Sequence, residues 1–215
     1  MLHWNGMKWV RVAAPSGTVS LTGAHMVSAT DGWAVGGEIT SSGGSALVLH
    51  WNGTNWVQAA IPTLRSGGPA AVGATSASNV WAVGSESASF PAIDSLTLHW
   101  DGTAWTQVAS PSPGNISPTH FPANDLAGVA ALSASNAWAV GDYFTRVSQG
   151  QQAPQIPLVL HWNGAKWVKV TVPGTFTDTG LSGITMVSPS DGWAVGQNFS
   201  TVEILHWDGT TWSQS

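Results

Sequence analysis

Five copies of a short motif place one histidine and two tryptophans around an Asn-Gly or Asp-Gly pair, as in LHWNGTNWV at 49–57. Imidazole binds metals and transfers protons near neutral pH, so the motif raises the question of a metal or ligand site. The histidines are His3, His50, His99, His161 and His206. Metal ligands must lie within about 2.0–2.1 Å of one ion. These histidines occur once per repeat, so they would be spread around the molecule and lie too far apart to share an ion. We therefore expect no metal site, and a structural role in which each imidazole hydrogen-bonds across strands or to a neighbouring loop.

Other catalytic arrangements are not evident. The eight Asp and three Glu residues are dispersed, and the sequence indicates no pair at the roughly 5–9.5 Å separation that glycoside hydrolysis requires. There is no Gly-x-Ser-x-Gly elbow, phosphate-binding loop or His-x-x-x-His motif, and no cysteine. We predict no catalytic residues and no cofactor.

A second element alternates with the first. It is a Ser-x-x-Asp or Ser-x-x-Asn turn followed by WAVG, and it occurs four times. All 14 tryptophans fall inside the two elements. We assign these side chains to the repeat core: Trp33, Trp51, Trp56, Trp81, Trp100, Trp105, Trp138, Trp162, Trp167, Trp193, His50, His99 and His161.

Each repeat contains four short segments of alternating polarity, bounded by turn residues, which predicts four antiparallel strands A to D. Asn-Gly and Asp-Gly favour a tight hairpin between strands C and D. Tandem four-stranded units are typical of a β-propeller. We predict an all-β, single-domain β-propeller, a partial or open ring, with an N-terminal half blade at 1–12 and complete blades at 19–59, 68–108, 126–170 and 181–215.

Strand alternation also predicts the direction of the side chains. Leu47, Leu49 and Trp51 share one face of strand C, and Trp56 joins that face across the hairpin. His50 points to the opposite face.

In an antiparallel four-stranded blade the A–B and C–D turns lie on one rim and the B–C and D–A connections on the other. Only the second rim varies in loop length. The A–B and C–D turns keep constant spacing, whereas the B–C and D–A connections vary and are longest at Ala109–Asp125 and Asp142–Pro157. Functional residues concentrate in variable loops on a constant scaffold. The alternative is drift in surface loops, with their aromatic residues folded back onto the rim. The binding residues that we predict on this rim are His120, Phe121, Asp142, Tyr143, Phe144 and Arg146.

The composition of the chain argues against nucleic acid as a partner and against a membrane-spanning segment. Charged residues make up 8% of the chain, against roughly 25% in ordinary soluble domains. With six Lys and Arg scattered singly and a net charge of −5, the chain has no basic patch for nucleic acid. No segment approaches the ~18 apolar residues of a membrane span. We expect an extracellular or cell-surface protein whose signal peptide lies upstream of this chain.

The strand count leaves strands A and B of the first blade unaccounted for, because residues 1–12 supply only strands C and D. An N-terminal hairpin of this kind exposes a strand edge. We expect either a fragment of a longer propeller or association with another copy that completes a ring.

The alternation of WAVG with LHWNGTxW resembles the Trp-rich tandem repeats of bacterial β-propellers and, more distantly, the Asp-box (BNR) and photosystem II assembly-factor propellers. The resemblance covers essentially the whole chain and implies a four-stranded blade whose hairpin tryptophan packs between blades. Asp-box sialidases need an arginine triad and a tyrosine nucleophile, but Arg11, Arg65 and Arg146 are scattered and Tyr143 is the sole tyrosine. The assembly-factor propellers resemble basic-patch binders, whereas this chain is acidic.

The sequence therefore favours a non-catalytic interaction or scaffold module that binds protein or glycan through the face of the B–C and D–A loops. The first alternative is a carbohydrate-binding lectin that uses rim aromatic residues. The second is a glycoside hydrolase of Asp-box type.

Overall fold

The computed structural model describes residues 1–13, 18–40, 43–89, 92–114, 124–144, 154–174, 176, 178–198 and 200–215. Within these ranges the regular secondary structure is entirely β-strand. The described part of the chain contains no helix with the length and apolar character needed to cross a membrane.

The strands form one two-stranded sheet and four four-stranded sheets. The half blade contains β1 (Leu2–Trp4) and β2 (Trp9–Arg11). Blade 1 contains β3 (Thr18–Ser28), β4 (Asp31–Thr40), β5 (Gly43–Trp51) and β6 (Trp56–Gln58). Blade 2 contains β7 (Gly67–Ser76), β8 (Asn79–Ser89), β9 (Ala92–Trp100) and β10 (Trp105–Gln107). Blade 3 contains β11 (Asn124–Ser133), β12 (Asn136–Phe144), β13 (Gln155–Trp162) and β14 (Trp167–Val170). Blade 4 contains β15 (Gly180–Ser188), β16 (Asp191–Gln197), β17 (Val202–Trp207) and β18 (Trp212–Gln214).

Each four-stranded sheet is an antiparallel meander in which consecutive strands are neighbours. The main contacts between blades join blade 1 to blade 2, blade 2 to blade 3 and blade 3 to blade 4. In the described residues the ring is not closed. The predicted architecture of four-stranded antiparallel blades with a two-stranded N-terminal unit is confirmed.

The strands extend further toward the B–C and D–A loops than the sequence predicts. In blade 3, β12 continues through Asp142, Tyr143 and Phe144, which the sequence analysis placed in a loop. Tyr143 pairs with Asn124 on one side and with Ile156 on the other. Pairing on both sides holds these residues in the sheet, although their local composition indicates a loop, and this corrects the prediction.

Every blade has two different faces. The Trp–His face carries the tryptophan and valine of WAVG, the strand C histidine and the residue opposite that valine; in blade 1 these are Trp33, Val35, His50 and Val48. The Leu–Trp face carries the two alternating leucines, or their equivalents, and the two hairpin tryptophans; in blade 2 these are Leu96, Leu98, Trp100 and Trp105. As strand alternation predicts, the histidine and the leucines point to opposite faces.

The core lies between blades, where the Trp–His face of one blade packs on the Leu–Trp face of the next. The ring centroid of Trp33 lies 5.1 Å from the centroids of both Trp100 and Trp105, and the Trp33 and Trp105 rings meet edge-on at 86°. Aromatic pairs favour such tilted and edge-on arrangements. Equivalent triplets join blades 2 and 3 and blades 3 and 4: Trp81 with Trp162 and Trp167, and Trp138 with Trp207 and Trp212.

Glycine is required at two points of the repeat. A Cβ on the WAVG glycine of blade 3, Gly141, would overlap the main-chain carbonyl oxygen of Asp125 on β11. The register of β11 and β12 shifts directly beside this contact, between Leu126 and Gly128. In the C–D turn, Gly53 has φ of +90°, which glycine adopts without strain.

Candidate functional site

The A–B and C–D turns form one rim of the molecule, which we call the turn rim, and their contacts repeat in every blade. In blade 1, His50 Nε2 lies 2.7 Å from Asp31 Oδ1 at the A–B turn. The corresponding distances are 2.8 Å for His99 and Asn79, 3.0 Å for His161 and Asn136, and 3.0 Å for His206 and Asp191. Each complete blade therefore supplies a partner for its own histidine.

The same histidines stack on the WAVG tryptophans. The ring centroids are 4.2–4.4 Å apart in all four blades. Burial lowers the pKa of His99 and of His161, which favours the neutral imidazole. Among the described residues no A–B turn lies beside His3, which lies over Trp51 of blade 1 with ring centroids 5.2 Å apart.

The tryptophans assigned to the repeat core differ in exposure. Trp33, Trp51, Trp81, Trp105, Trp138 and Trp167 are buried, Trp56, Trp100 and Trp162 are partly buried, and Trp193 is 38% exposed. The strand C indole N–H groups of the complete blades donate to A–B turn carbonyls at 3.0 Å, as Trp100 does to Ala77. The structural role of this set remains a prediction that substitution must test.

The B–C and D–A connections form the opposite rim, which we call the loop rim. Of the binding residues predicted there, His120, Phe121 and Arg146 lie outside the described residues. Tyr143 is only 8% exposed and packs in the core between blades 2 and 3. The Lys169 Nζ donates to its hydroxyl at 2.8 Å and lies 4.3 Å from the centroid of its ring. The burial of Tyr143 favours a role in packing over contact with a ligand.

Asp142 and Phe144 complete the predicted set. Phe144 is partly buried and pairs with Gln155 of β13. Asp142 lies directly opposite Asp125 of β11. Directly opposed residues of antiparallel strands have Cβ atoms about 4.5–5.5 Å apart, so the structure brings two carboxyl groups together.

This carboxyl pair is specific to blade 3. The residues that occupy the same register positions in the other blades are Ser20 and Gly37, Gly68 and Ser85, and Gly180 and Gln197. The repeat therefore has no structural requirement for acidic side chains at these positions.

Burial acts on both carboxyl groups. It raises the pKa of Asp142 to about 6, with a further contribution from the negative charge of Asp125 and an opposing hydrogen bond from the Gln155 side chain. Burial also raises the pKa of Asp125, against hydrogen bonds from the Ser85 side chain and the Leu126 main chain. Among the described residues no cation lowers either pKa. The pair is a local concentration of incompletely compensated negative charge.

Asp142 lines a groove of about 480 Å³ between blades 3 and 4. Asp178 lines it too, with φ of 52°, and its Oδ1 accepts a hydrogen bond from the Gln155 main-chain N–H at 3.2 Å. Gly180 forms part of the wall, where a Cβ would lie 2.6 Å from Gln155 Nε2 and 3.1 Å from Asp142 Oδ1. Gln197 contributes a second amide from blade 4. The groove is thus rich in hydrogen-bond acceptors.

Sequence reasoning missed Asp125, Gln155 and Asp178 as site residues. A signal for Asp125 was present, because the residue before the apolar part of strand A is Ser or Gly in the other three blades. No local pattern signals Gln155 or Asp178, which reach the groove through strand pairing and chain packing.

A second groove, of about 490 Å³, lies near the turn rim between blades 1 and 2. It is lined mostly by apolar side chains such as Ile61 and Trp105, and its one titratable side chain, His50, is already bonded to Asp31. The described residues contain no cluster of three or more His, Cys, Asp or Glu side chains suited to a metal ion. The groove on the loop rim is therefore the candidate site.

Comparison with known proteins supports the architecture. No protein-family model matches the chain, and no curated protein matches it. A solved structure of YCF48 from Cyanidioschyzon merolae is 17% identical, with a TM-score of 0.52, over 96% of this chain and 59% of that one. An α-L-arabinofuranosidase from Fusarium graminearum in complex with an iminosugar inhibitor is 12% identical, with a TM-score of 0.51, over 86% of this chain and 59% of that one.

The fold is that of a β-propeller. The two structures above show this fold and, at such low identity, nothing about activity. A structure of YCF48 bound to D1 peptide is 14% identical, with a TM-score of 0.39, over 100% of this chain and 87% of that one. This chain spans 59% of the length of the YCF48 chain from Cyanidioschyzon merolae and 59% of the length of the arabinofuranosidase chain.

Proposed function

We propose that this propeller is a non-catalytic interaction module that binds a cationic segment of a partner protein in the groove between blades 3 and 4. The observation that carries the proposal is the carboxyl group of Asp142, which is largely ionised at pH 7 because its pKa is about 6. A partly buried carboxylate that lacks a compensating charge costs folding free energy. A lysine or arginine of the ligand would supply that charge.

The chemistry of the groove fits such a ligand. The carboxylates of Asp142 and Asp178 and the amide oxygens of Gln155 and Gln197 accept hydrogen bonds from ammonium, guanidinium and peptide N–H groups. The net charge of −5 would steer a basic segment toward the protein.

The lining favours protein over glycan. The described residues of the groove include no aromatic ring on which a sugar could stack, and Tyr143 is buried in the core. The lectin alternative depends on rim aromatic residues, so the described geometry gives it less support than the protein ligand.

The test measures binding to an array of short peptides that contain lysine and arginine, beside matched peptides with glutamine at those positions. The wild-type chain is expected to bind the basic peptides at pH 7, and Asp142→Asn is expected to weaken binding at least tenfold. Asp208→Asn on the turn rim is the matched control, because it removes the same charge where three other repeats already carry asparagine.

Two outcomes would contradict the proposal. One is equal loss of binding in Asp142→Asn and Asp208→Asn, which would indicate a general charge effect. The other is binding that appears only on a parallel glycan array and depends on Asp142, which would favour the lectin. Binding to basic peptides should also strengthen from pH 5 to pH 7 as Asp142 loses its proton.

A glycoside hydrolase is the second candidate, and the pairing of Asp125 with Asp142 is the observation that favours it. Retaining glycosidases hold two carboxyl groups about 5–5.5 Å apart and use one of raised pKa as the acid. Aryl glycosides and polysaccharides are the substrates to test. Turnover that Asp142→Asn abolishes and Asp208→Asn retains would favour the enzyme, and absence of turnover would favour the binding module.

A further inference from the structure

Strand C is longer than strand D in every complete blade, so part of its outer edge has no strand beside it. In blade 1, β5 has nine residues and β6 has three; in blade 3, β13 has eight and β14 has four. An uncovered strand edge can pair with another chain, and proteins usually cover or interrupt it. What lies beside the unpaired part of strand C differs between the blades.

Blade 2 covers this edge with its own D–A connection. The main-chain N–H of Ser95 donates to Ser112 Oγ at 3.0 Å, and its carbonyl accepts a bond from Ser110 Oγ at 3.1 Å. The buried Asn124 donates through Nδ2 to the carbonyl of Ile93 at 2.8 Å. Side chains thus occupy the outward main-chain groups of β9.

Blade 3 closes the same edge with different residues. Pro157 lies at the register position of Ser95, and a proline has no N–H that needs a partner. The N–H of Gln155 donates to Asp178 Oδ1 at 3.2 Å, and its carbonyl accepts a bond from the Thr179 N–H at 3.0 Å. Blades 2 and 3 therefore both protect the edge of strand C.

Blade 1 leaves the edge open. The carbonyl of Val48 accepts a bond from the Ala59 N–H at 2.9 Å, so the main chain of Val48 points away from β4. By strand alternation the main-chain groups of Ala46 and Gly44 point the same way, and we call these groups the β5 edge. Gly44 is exposed and Ala46 is partly buried. Of the residues that the structure describes, none forms a hydrogen bond with the β5 edge.

The D–A connection of blade 1 explains the open edge. After Ala59 this connection carries Ile61 and Leu64, and both side chains pack against the core between blades 1 and 2. Pro62 lies between them and has no N–H to donate. Burial of the two apolar side chains thus draws the connection away from β5.

The side chains at the β5 edge permit close approach of another chain. Gly44, Ser45 and Ala46 are small and uncharged, and none is a lysine or proline of the kind that protects edge strands. A groove of about 330 Å³ lies here, lined by Gly44, Ser45, Glu38 and Ser66 among others. Glu38 is directly opposite Ser45, and no described side chain bonds to its carboxyl group. The edge therefore combines free main-chain groups with one unpaired acid.

We propose that the β5 edge binds an extended segment of a partner protein as an added strand, with a lysine or arginine of that segment opposite Ser45. The main chain of the segment supplies the hydrogen bonds that Ser110 and Ser112 supply in blade 2. Strands lie about 4.7–4.9 Å apart, so Glu38 is about two strand spacings away across Ser45. A long basic side chain and the Glu38 side chain together span that distance. This site is separate from the groove between blades 3 and 4.

A library of random linear heptapeptides, selected on the wild-type chain, supplies the probes for the test. Ala46→Pro removes the outward N–H and places a ring where the added strand would lie, whereas Ala46→Ser keeps the N–H. Both variants copy the repeat, because the equivalent residues are Pro157 and Ser95. Fluorescence anisotropy should show that the selected peptides bind at least tenfold more weakly to Ala46→Pro than to Ala46→Ser. Thermal unfolding checks that both variants are folded.

N-methylation of the selected peptides tests strand pairing without any variant of the protein. Methyl groups on the alternate amides that face β5 should weaken binding at least tenfold more than methyl groups on the other amides. Glu38→Gln should weaken binding of a lysine-containing peptide more than binding of its glutamine counterpart. The proposal would be overturned by peptides that bind equally to Ala46→Pro and Ala46→Ser, or by equal effects of the two methylation patterns. Equal losses of the lysine and glutamine peptides in Glu38→Gln would overturn the position assigned to the basic residue.

Discussion

The two rims of the propeller are built from the same strands but follow different rules. On the turn rim every complete blade repeats the same contacts: a histidine bonded to an Asp or Asn, its ring stacked on a tryptophan, and an indole bonded to a turn carbonyl. On the loop rim, blade 3 carries two acids at positions where the other blades carry Ser, Gly or Gln. On the turn rim the histidines and the strand C indoles have hydrogen-bond partners, although the buried WAVG indole N–H groups of Trp33, Trp81 and Trp138 have none. On the loop rim, burial raises the pKa of both carboxyl groups.

The difference indicates how stability and function are divided. Residues selected for stability have satisfied partners, so substitution should destabilise the fold. Residues selected for binding often reduce stability, so substitution should stabilise the fold while binding is lost. Substitutions on the two rims should therefore change the free energy of unfolding in opposite directions.

The largest effect is expected on the turn rim from His161→Ala. The substitution removes the bond to Asn136 at 3.0 Å and the stacking on buried Trp138, and we expect a loss of about 2–3 kcal/mol. The control is His206→Ala in blade 4, where the stacked Trp193 is exposed and the loss should be below about 1 kcal/mol. Urea unfolding followed by tryptophan fluorescence measures both, and equal losses would contradict the comparison.

The opposite sign is expected on the loop rim from Asp142→Asn. Because the folded-state pKa of Asp142 is raised, the aspartate stabilises the fold least above pH 6 and most below the unfolded pKa. The amide should therefore stabilise the chain at pH 7 by about 1–3 kcal/mol, and the gain should disappear toward about pH 4. Asp208→Asn, measured in the same urea series, should show no such gain; a loss of stability in Asp142→Asn at pH 7 would refute the prediction.

The pH dependence of the turn rim should run the other way. Burial lowers the pKa of His99 and His161, so these groups stabilise the fold above the unfolded histidine pKa, and this contribution is lost as the pH falls through their folded values. The variant Asp125→Asn/Asp142→Asn removes the opposing titration of the two carboxyl groups. In this variant the urea concentration at the midpoint of unfolding should be higher at pH 7 than at pH 5. A flat or falling profile in that variant would show that the histidines do not contribute as their burial indicates.

The smallest effect is expected at the C–D turns. Asn163 Oδ1 accepts hydrogen bonds from the main-chain N–H groups of Ala165 and Lys166, both at 3.0 Å. Asn163→Ala should cost about 0.5–1 kcal/mol because it removes both bonds at an exposed turn. Asn163→Asp should be close to neutral in thermal unfolding, since two other repeats use aspartate there; a cost equal to that of alanine would show that the acceptor contributes nothing.

Much of the fold could be predicted because the same local signals recur along the chain: the C–D hairpin motif occurs five times and the WAVG element four times. The Asn-Gly turns, the alternation of leucine and histidine in strand C and the constant turn spacing together define the blade and its two faces. The position of Asp142 on the loop rim was also predicted. Its partner Asp125 was not, because only strand pairing places these two residues, 17 positions apart, directly opposite each other.

The sequence by itself determined the architecture, because periodic apolar residues, turn glycines and repeated tryptophans act locally and are the same in each copy. Tertiary structure decided the rest. Pairing on both sides drew Asp142 and Tyr143 from a predicted loop into β12, and packing between blades buried the tyrosine. The same packing desolvated the carboxyl group of Asp142, and desolvation by neighbouring blades is a property that no local stretch of sequence contains.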